Sequence, residues 1–116
     1  MPENCNFIWQ LRNQPNVRAV SCHSAPIRLA DFQKLYENTY TEYSIILIDG
    51  HFAGYWRTDE HNFVSIALSR KYRHKGIGEK IIGMTEGRAI ILAHNFNSLG
   101  AFVKGGYKIK GFYLEK

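Results

Sequence analysis

Residues Val64 to Ile82 read VSIALSRKYRHKGIGEKII, an alternating apolar run followed by a basic loop, two glycines and the start of an amphipathic segment. That order predicts a strand, a glycine loop and a helix start, an arrangement that gathers backbone N–H groups around an oxyanion. Its centre is Arg73, His74, Lys75, Gly76, Ile77 and Gly78. The glycines let the backbone close on the anion, while Arg70, Lys71, Arg73 and Lys75 supply charge, the arginines as forks suited to phosphate oxygens. The expected ligand therefore carries phosphate.

Two common glycine loops are excluded. A P-loop needs G-x-x-x-x-G-K-[ST], and a dinucleotide fold needs G-x-G-x-x-G with an acidic residue further on; neither pattern is present. An arginine, two spacers and G-x-G after a strand instead resemble the coenzyme A pyrophosphate loop of the GNAT superfamily of acyl-CoA-dependent N-acetyltransferases. A second segment, Asn95, Ser98, Phe102, Lys104, Gly106 and Tyr107, is similar to that superfamily's N-x-x-[AS]-x-x-x-[YF]-x-K-x-G-[FY] pattern. The resemblance implies a helix beside the pantetheine arm, leading into a last hairpin. It also implies acetyl-CoA as co-substrate, held by Arg73 to Gly78, by the backbone of Ala67 and Leu68 in the splayed third strand, and by Asn95, Ser98, Phe102 and Lys104.

With 116 residues the chain has room for one small core and none for a second domain, so residues 1–116 are read as a single domain. Hydrophobic content of 45% with 22% charged residues is that of a globular protein, and no apolar run reaches the length of a membrane span. Met1 to Gln14 lacks the basic start and apolar core of a secretory signal, so the expectation is a cytoplasmic protein. The net charge of +5 invites a nucleic-acid reading, but much of it falls in Arg70 to Lys75, where an anionic cofactor accounts for it. Cys5 and Cys22 are isolated thiols, and His51, His61, His74 and His94 have no ligand spacing, so neither a disulfide nor a metal is expected.

In chain order, Asn6 to Asn13 carries Phe7, Ile8 and Leu11 at helical spacing, ended by Pro15. Arg12, Asn13, Pro15, Val17 and Arg18 resemble an RN-x-P-x-VR stretch in the branch of the superfamily that acetylates ribosomal proteins and amino sugars. Leu29 to Tyr40 is an amphipathic helix striped by Phe32, Leu35, Tyr36 and Tyr40, whose two tyrosines either touch substrate or, as buried aromatics usually do, build core and rim. Tyr43 to Ile48 and Phe52 to Arg57 flank Asp49-Gly50, a strong hairpin signal, and Phe63 to Leu68 is the third strand.

Beyond the loop, Glu79 to Glu86 is predicted as helix with Gly87 at its C-cap, Arg88 to Ala93 as a buried strand and Lys108 to Leu114 as the final strand. A rival reading runs one helix from Ile77 to about Leu92. The fold class is thus α+β: a mixed, mostly antiparallel sheet with flanking helices, short of the strand with which the superfamily usually opens.

The resemblance implies direct transfer of acetyl to an amine, with no covalent enzyme intermediate. Phe102 stands where relatives often have the tyrosine that protonates the leaving thiolate, leaving the Ser98 hydroxyl as nearest replacement; a helix-start hydrogen bond is its plain alternative. Phe63 stands where a glutamate base is frequent, so Glu60 and His61 are the candidate bases, unless both are simple turn residues. The expected acceptor is a primary amine on an amino sugar-nucleotide or a protein N-terminus. The competing expectation is a non-catalytic acyl-CoA-binding module, and the missing edge strand favours pairing of two copies through the open sheet edge for either.

Overall fold

The computed structural model describes residues 2–18 and 25–116, so Cys22 lies outside the described residues. Helix α1 (Pro2–Arg12) and the single turn α2 (Pro15–Arg18) come first, then α3 (Leu29–Thr39), strands β1 (Tyr43–Ile48), β2 (His51–Thr58) and β3 (Val64–Leu68), and helices α4 (Ile77–Gly83) and α5 (Phe96–Lys104). The strands form an antiparallel sheet in the order β1-β2-β3. Asp49 and Gly50 both take positive φ, 51° and 78°, the signature of a type I′ turn whose twist matches the flanking strands. Ile48 pairs with His51 across that turn, and one β-bulge interrupts the register between Ile46 and Leu47.

Period-two alternation gives the sheet two apolar faces. On one, Tyr43, Ile45, Tyr55 and Ala67 meet α1 and α3 in a core with Cys5, Ile8, Leu11 and Phe32 at its centre. Ile8 and Phe32 are 0% and 1% exposed, so α1 occupies this face as fully as a strand's own neighbours would. On the other face Val64 and Ile66 meet Ile82 of α4 and Phe102 of α5. The result is an α+β fold with helices on both sides of one sheet, and the free edge of β3 lies between the two helical layers.

The structure departs from the sequence expectations beyond β3. Helix α4 begins at Ile77, and its end is closed by Thr85, which donates both its N–H (3.0 Å) and its hydroxyl (2.7 Å) to the Ile82 carbonyl. The Tyr107 hydroxyl meets the Thr85 hydroxyl at 2.7 Å and locks this end to the residues after α5. Gly87 is not a helix cap. A side chain there would meet the Asn62 carbonyl oxygen at 2.5 Å, so glycine is required for close passage of two backbones.

Arg88 to Ala93 forms neither the predicted strand nor the end of one long helix. Arg88 makes a single parallel bridge with Phe63, with Arg88 N–H donating to Asn62 O and Val64 N–H to Arg88 O, after which the segment leaves β3. Lys108 to Leu114 is not a strand either: it pairs with none of the three strands, and Phe112 and Leu114 are 89% and 87% exposed. Of the α3 stripe, Phe32 is buried and Tyr36 half-buried, while Leu35 and Tyr40 face outward, and neither tyrosine lines either of the two cavities described below.

Candidate active site

Where residues 88–91 depart from β3, a cavity of about 850 Å³ opens along the strand's free edge. At one end lies the basic loop. Arg70–Tyr72 forms a short 3₁₀ turn, and Arg73 Nε donates to the Leu68 carbonyl at 2.8 Å, folding the loop back on the end of β3. His74 and Gly76 follow with φ of 60° and 77°, a reversal that brings the backbone into α4. The first helical bond is Lys80 N–H to Gly76 O, so the N–H groups of the turn before it have no intrahelical acceptor. Arg73, His74, Gly76 and Gly78 line the cavity; Lys75 and Ile77 do not.

The opposite wall is α5. Its N-cap is Asn95, whose side-chain oxygen accepts from Ser98 N–H at 3.3 Å, so the helix-start bond is made by the asparagine side chain. Asn95, Ser98, Phe102 and Lys104 all line the cavity, with Phe102 buried at its base and Lys104 paired to Glu79 at 3.4 Å. Two sequence motifs far apart in the chain thus converge on one space.

Between them runs β3. In an antiparallel ladder successive residues turn their N–H and C=O alternately to the partner and away from it. Val64 N–H points away from β2, to Arg88 O, and Ser69 N–H points towards it, to Ala53 O. Alternation from both ends places Ala67, paired with Tyr55, towards β2, and Ile66 and Leu68 towards the cavity. Of the two expected backbone contacts, Leu68 therefore faces the cavity and Ala67 offers it only a side chain. Ile66 takes its place.

Glu60 and His61 are not brought to the site. They sit at the turn before β3, at 80% and 68% side-chain exposure and 3.5 Å from each other, and neither lines the cavity. The turn is held by Asp59, whose Oδ1 accepts from His61 N–H at 2.8 Å and Phe63 N–H at 2.9 Å, and by Arg88, which donates to His61 O and stacks over Phe63. Asp59 does line the cavity. Slight burial opposes its charge, but the two N–H bonds and nearby Arg57 outweigh that and hold the carboxyl below its ordinary pKa.

The far end of the cavity holds residues whose part was not read from the sequence: Arg12, Tyr43, Tyr55 and Arg57. Tyr43 pairs with Arg57 across β1 and β2, and Tyr55 is two residues from Arg57, so strand period alone would have put the three on one face. The Tyr43 and Tyr55 rings lie 5.8 Å apart, and the Arg57 guanidinium sits 5.1 Å above Tyr43 while donating twice to Glu42 Oε1, at 2.9 and 2.6 Å.

Burial pushes the Tyr55 phenol up to about 12 and raises those of Tyr43 and Tyr36 as well. Phenols raised in the fold leave stability whole below their unfolded value near pH 10 and remove it as pH climbs towards 12. Tyr55 alone accounts for about 2 to 3 kcal/mol of that loss. Denaturant melts at stepped alkaline pH, with tyrosinate absorbance followed in parallel, should show unfolding and late ionisation together in that window; phenols that all titrate near pH 10 in folded protein would refute it.

No family model and no curated protein matches the sequence. Solved structures do match the fold. The crystal structure of aminoglycoside acetyltransferase AAC(6')-Ib in complex with coenzyme A and kanamycin aligns over 94% of this chain and 81% of that one, with a TM-score of 0.73 and 14% identity. The chain therefore shares the fold of that acetyltransferase.

Proposed function

We propose that this protein is an acetyl-CoA-dependent N-acetyltransferase acting on a primary amine. The observation that carries the reading is the convergence of the Arg73–Gly78 loop, the free edge of β3 and the start of α5 on one cavity. The similar structure is a complex with coenzyme A, which agrees with that use of the fold. In this reading the loop N–H groups and Arg73 hold the pyrophosphate. The pantetheine amides pair with Ile66 and Leu68, and the thioester points towards Tyr55, Asp59 and Ser98.

The acceptor ammonium first releases one proton to solvent; its neutral nitrogen then forms its bond to the acetyl carbonyl carbon as the C–S bond breaks, and the proton that this nitrogen sheds on becoming an amide balances the one that the coenzyme A thiolate gains. In this reading Ser98, which lines the cavity, donates towards the sulfur. Asp59 receives the ammonium end: both N–H bonds fall on Oδ1, and Oδ2 is left for the acceptor. Most of the acceleration comes from holding the two reactants together. An amino sugar-nucleotide or a protein N-terminus remains the proposed acceptor class.

A non-catalytic coenzyme A-binding module is favoured by one observation, the buried Phe102 where a hydroxyl would serve the thiolate. The two readings separate in one pair of measurements. Acetyl-CoA at about 100 times its Kd should stabilise the protein by about 2.7 kcal/mol in a thermal melt. Release of free coenzyme A thiol across a panel of amines then marks the enzyme, and binding without release marks the module. Absence of any melting shift overturns both.

A further inference from the structure

Arg12 has no part in the reaction just described, yet it lines two cavities. Beside the larger one lies a second, of about 490 Å³, bounded by Arg12, Tyr43, Arg57, Ile27, Leu35 and Thr39 among others and by none of the coenzyme A loop. Arg12, Tyr43 and Arg57 form the wall common to both.

The surrounding charges are accounted for in turn. Arg57 spends its hydrogen bonds on Glu42, Arg73 donates to Leu68 O, and Lys104 is paired with Glu79. Among the described arginines and lysines lining the larger cavity, Arg12 alone has neither a carboxylate nor a carbonyl partner; its guanidinium lies over the Phe32 ring at 5.6 Å. Tyr43 and Tyr55 line the same cavity, and burial raises both phenols although the Arg12 charge opposes the shift. A partly exposed guanidinium with no carboxylate partner keeps its N–H donors open to an incoming anion.

The local structure is built to hold Arg12 there. Asn13 brackets Ile27, donating from Nδ2 to its carbonyl at 2.7 Å and accepting its N–H at 3.1 Å, and Trp9 Nε1 donates to the same carbonyl at 2.7 Å. Arg18 Nε caps the end of α1 at the Asn13 carbonyl, 3.0 Å away. Within the Arg12–Arg18 stretch, Asn13 and Arg18 thus bind the chain to itself, and Arg12 is left facing the cavities.

Resting on the acetyltransferase reading, we propose that the acceptor amine also carries an anionic group, a carboxylate or a phosphate, and that Arg12 binds it where the two cavities meet, the amine lying towards Asp59. The acceptor class is then an amine with a negative charge a short distance from the nitrogen, and neutral amines of the same shape are poorer substrates.

The test compares matched pairs: phosphoethanolamine against ethanolamine, and β-alanine against β-alaninamide, the first pair reporting phosphate and the second carboxylate. The anionic member of at least one pair should have kcat/KM about tenfold higher or more, the size expected of one charge-assisted bond. Arg12→Gln should collapse that ratio towards one and Arg12→Lys restore part of it, while titrated coenzyme A affinity stays within about twofold in both variants. In parallel, melts with and without saturating coenzyme A should show stabilisation by the preferred anion in the parent and none in Arg12→Gln. Equal treatment of both pairs in turnover and melting, or a preference that Arg12→Gln retains, overturns the proposal. Failure to bind coenzyme A overturns the acetyltransferase reading instead, and the melts without coenzyme A still decide the anion site.

Discussion

Gly78→Val leaves the protein folded and lowers its affinity for coenzyme A by about 100-fold or more, as expected when several charge-assisted bonds to the pyrophosphate are blocked together. The protein itself tolerates the change. A Cβ at Gly78 would have Leu68 Cδ1 as its neighbour at 3.7 Å, an ordinary contact. The residue lies in the first turn of α4, where valine is no worse a helix former than glycine, so stability should hold or rise slightly. The added branches can only intrude on the space beside the loop. Gly76 is a poorer test, because its φ of 77° makes any side chain strain the backbone and would confuse folding with binding. Calorimetric titration of coenzyme A into the variant, with circular dichroism to establish folding, gives the answer. Unchanged affinity in folded Gly78→Val would remove the phosphate-loop assignment and with it the proposed activity.

Phe32→Ala should cost about 3 to 5 kcal/mol, a large share of the 5 to 15 kcal/mol that holds a domain together. Phe32 is 1% exposed at the centre of the α1–α3 core, and its ring packs near Tyr36 (centroids 6.0 Å), Tyr43 (6.3 Å) and the Arg12 guanidinium. The loss combines the apolar surface no longer buried with a cavity that helices on either side cannot fill. Because Tyr43 and Arg12 lean on the same ring, the far end of the site should loosen along with the fold. Urea unfolding would register this as a lower midpoint at unchanged slope. A loss under about 1 kcal/mol would mean that this core is not what stabilises the sheet face.

Elements decided by neighbours in sequence were legible from residues alone. Asp49-Gly50 tolerates positive φ at both positions, which selects the hairpin whatever surrounds it. The α3 stripe and the glycine loop are equally local, since periodicity and glycine's freedom act within a few residues, while the helix capped by Asn95 was implied by the resemblance. The two motifs also carried the fold class, borne out by the helix-flanked antiparallel sheet and by its solved counterpart.

What failed was whatever needed a distant partner. Arg88 to Ala93 and Lys108 to Leu114 have strand-like composition, but a strand exists only when another edge satisfies its N–H and C=O groups. Among the described residues, one parallel bridge at Arg88 is all that pairs there. The same departure of that segment from β3 opens the cavity, so the missing strand and the candidate site have one cause. Glu60 and His61 have suitable chemistry but face outward, because Asp59 and Arg88 fix the turn that carries them. The exchange of Ile66 for Ala67 followed from ladder alternation, and the meeting of Arg12 with Tyr43, Tyr55 and Arg57 followed from α1 packing across the sheet. The sequence by itself determined which segments could turn, cap and cradle, because those preferences are set by each residue's own backbone and close neighbours. Only the tertiary structure decided which edges stay unpaired and which side chains share a cavity, because both depend on contacts between residues far apart in the chain.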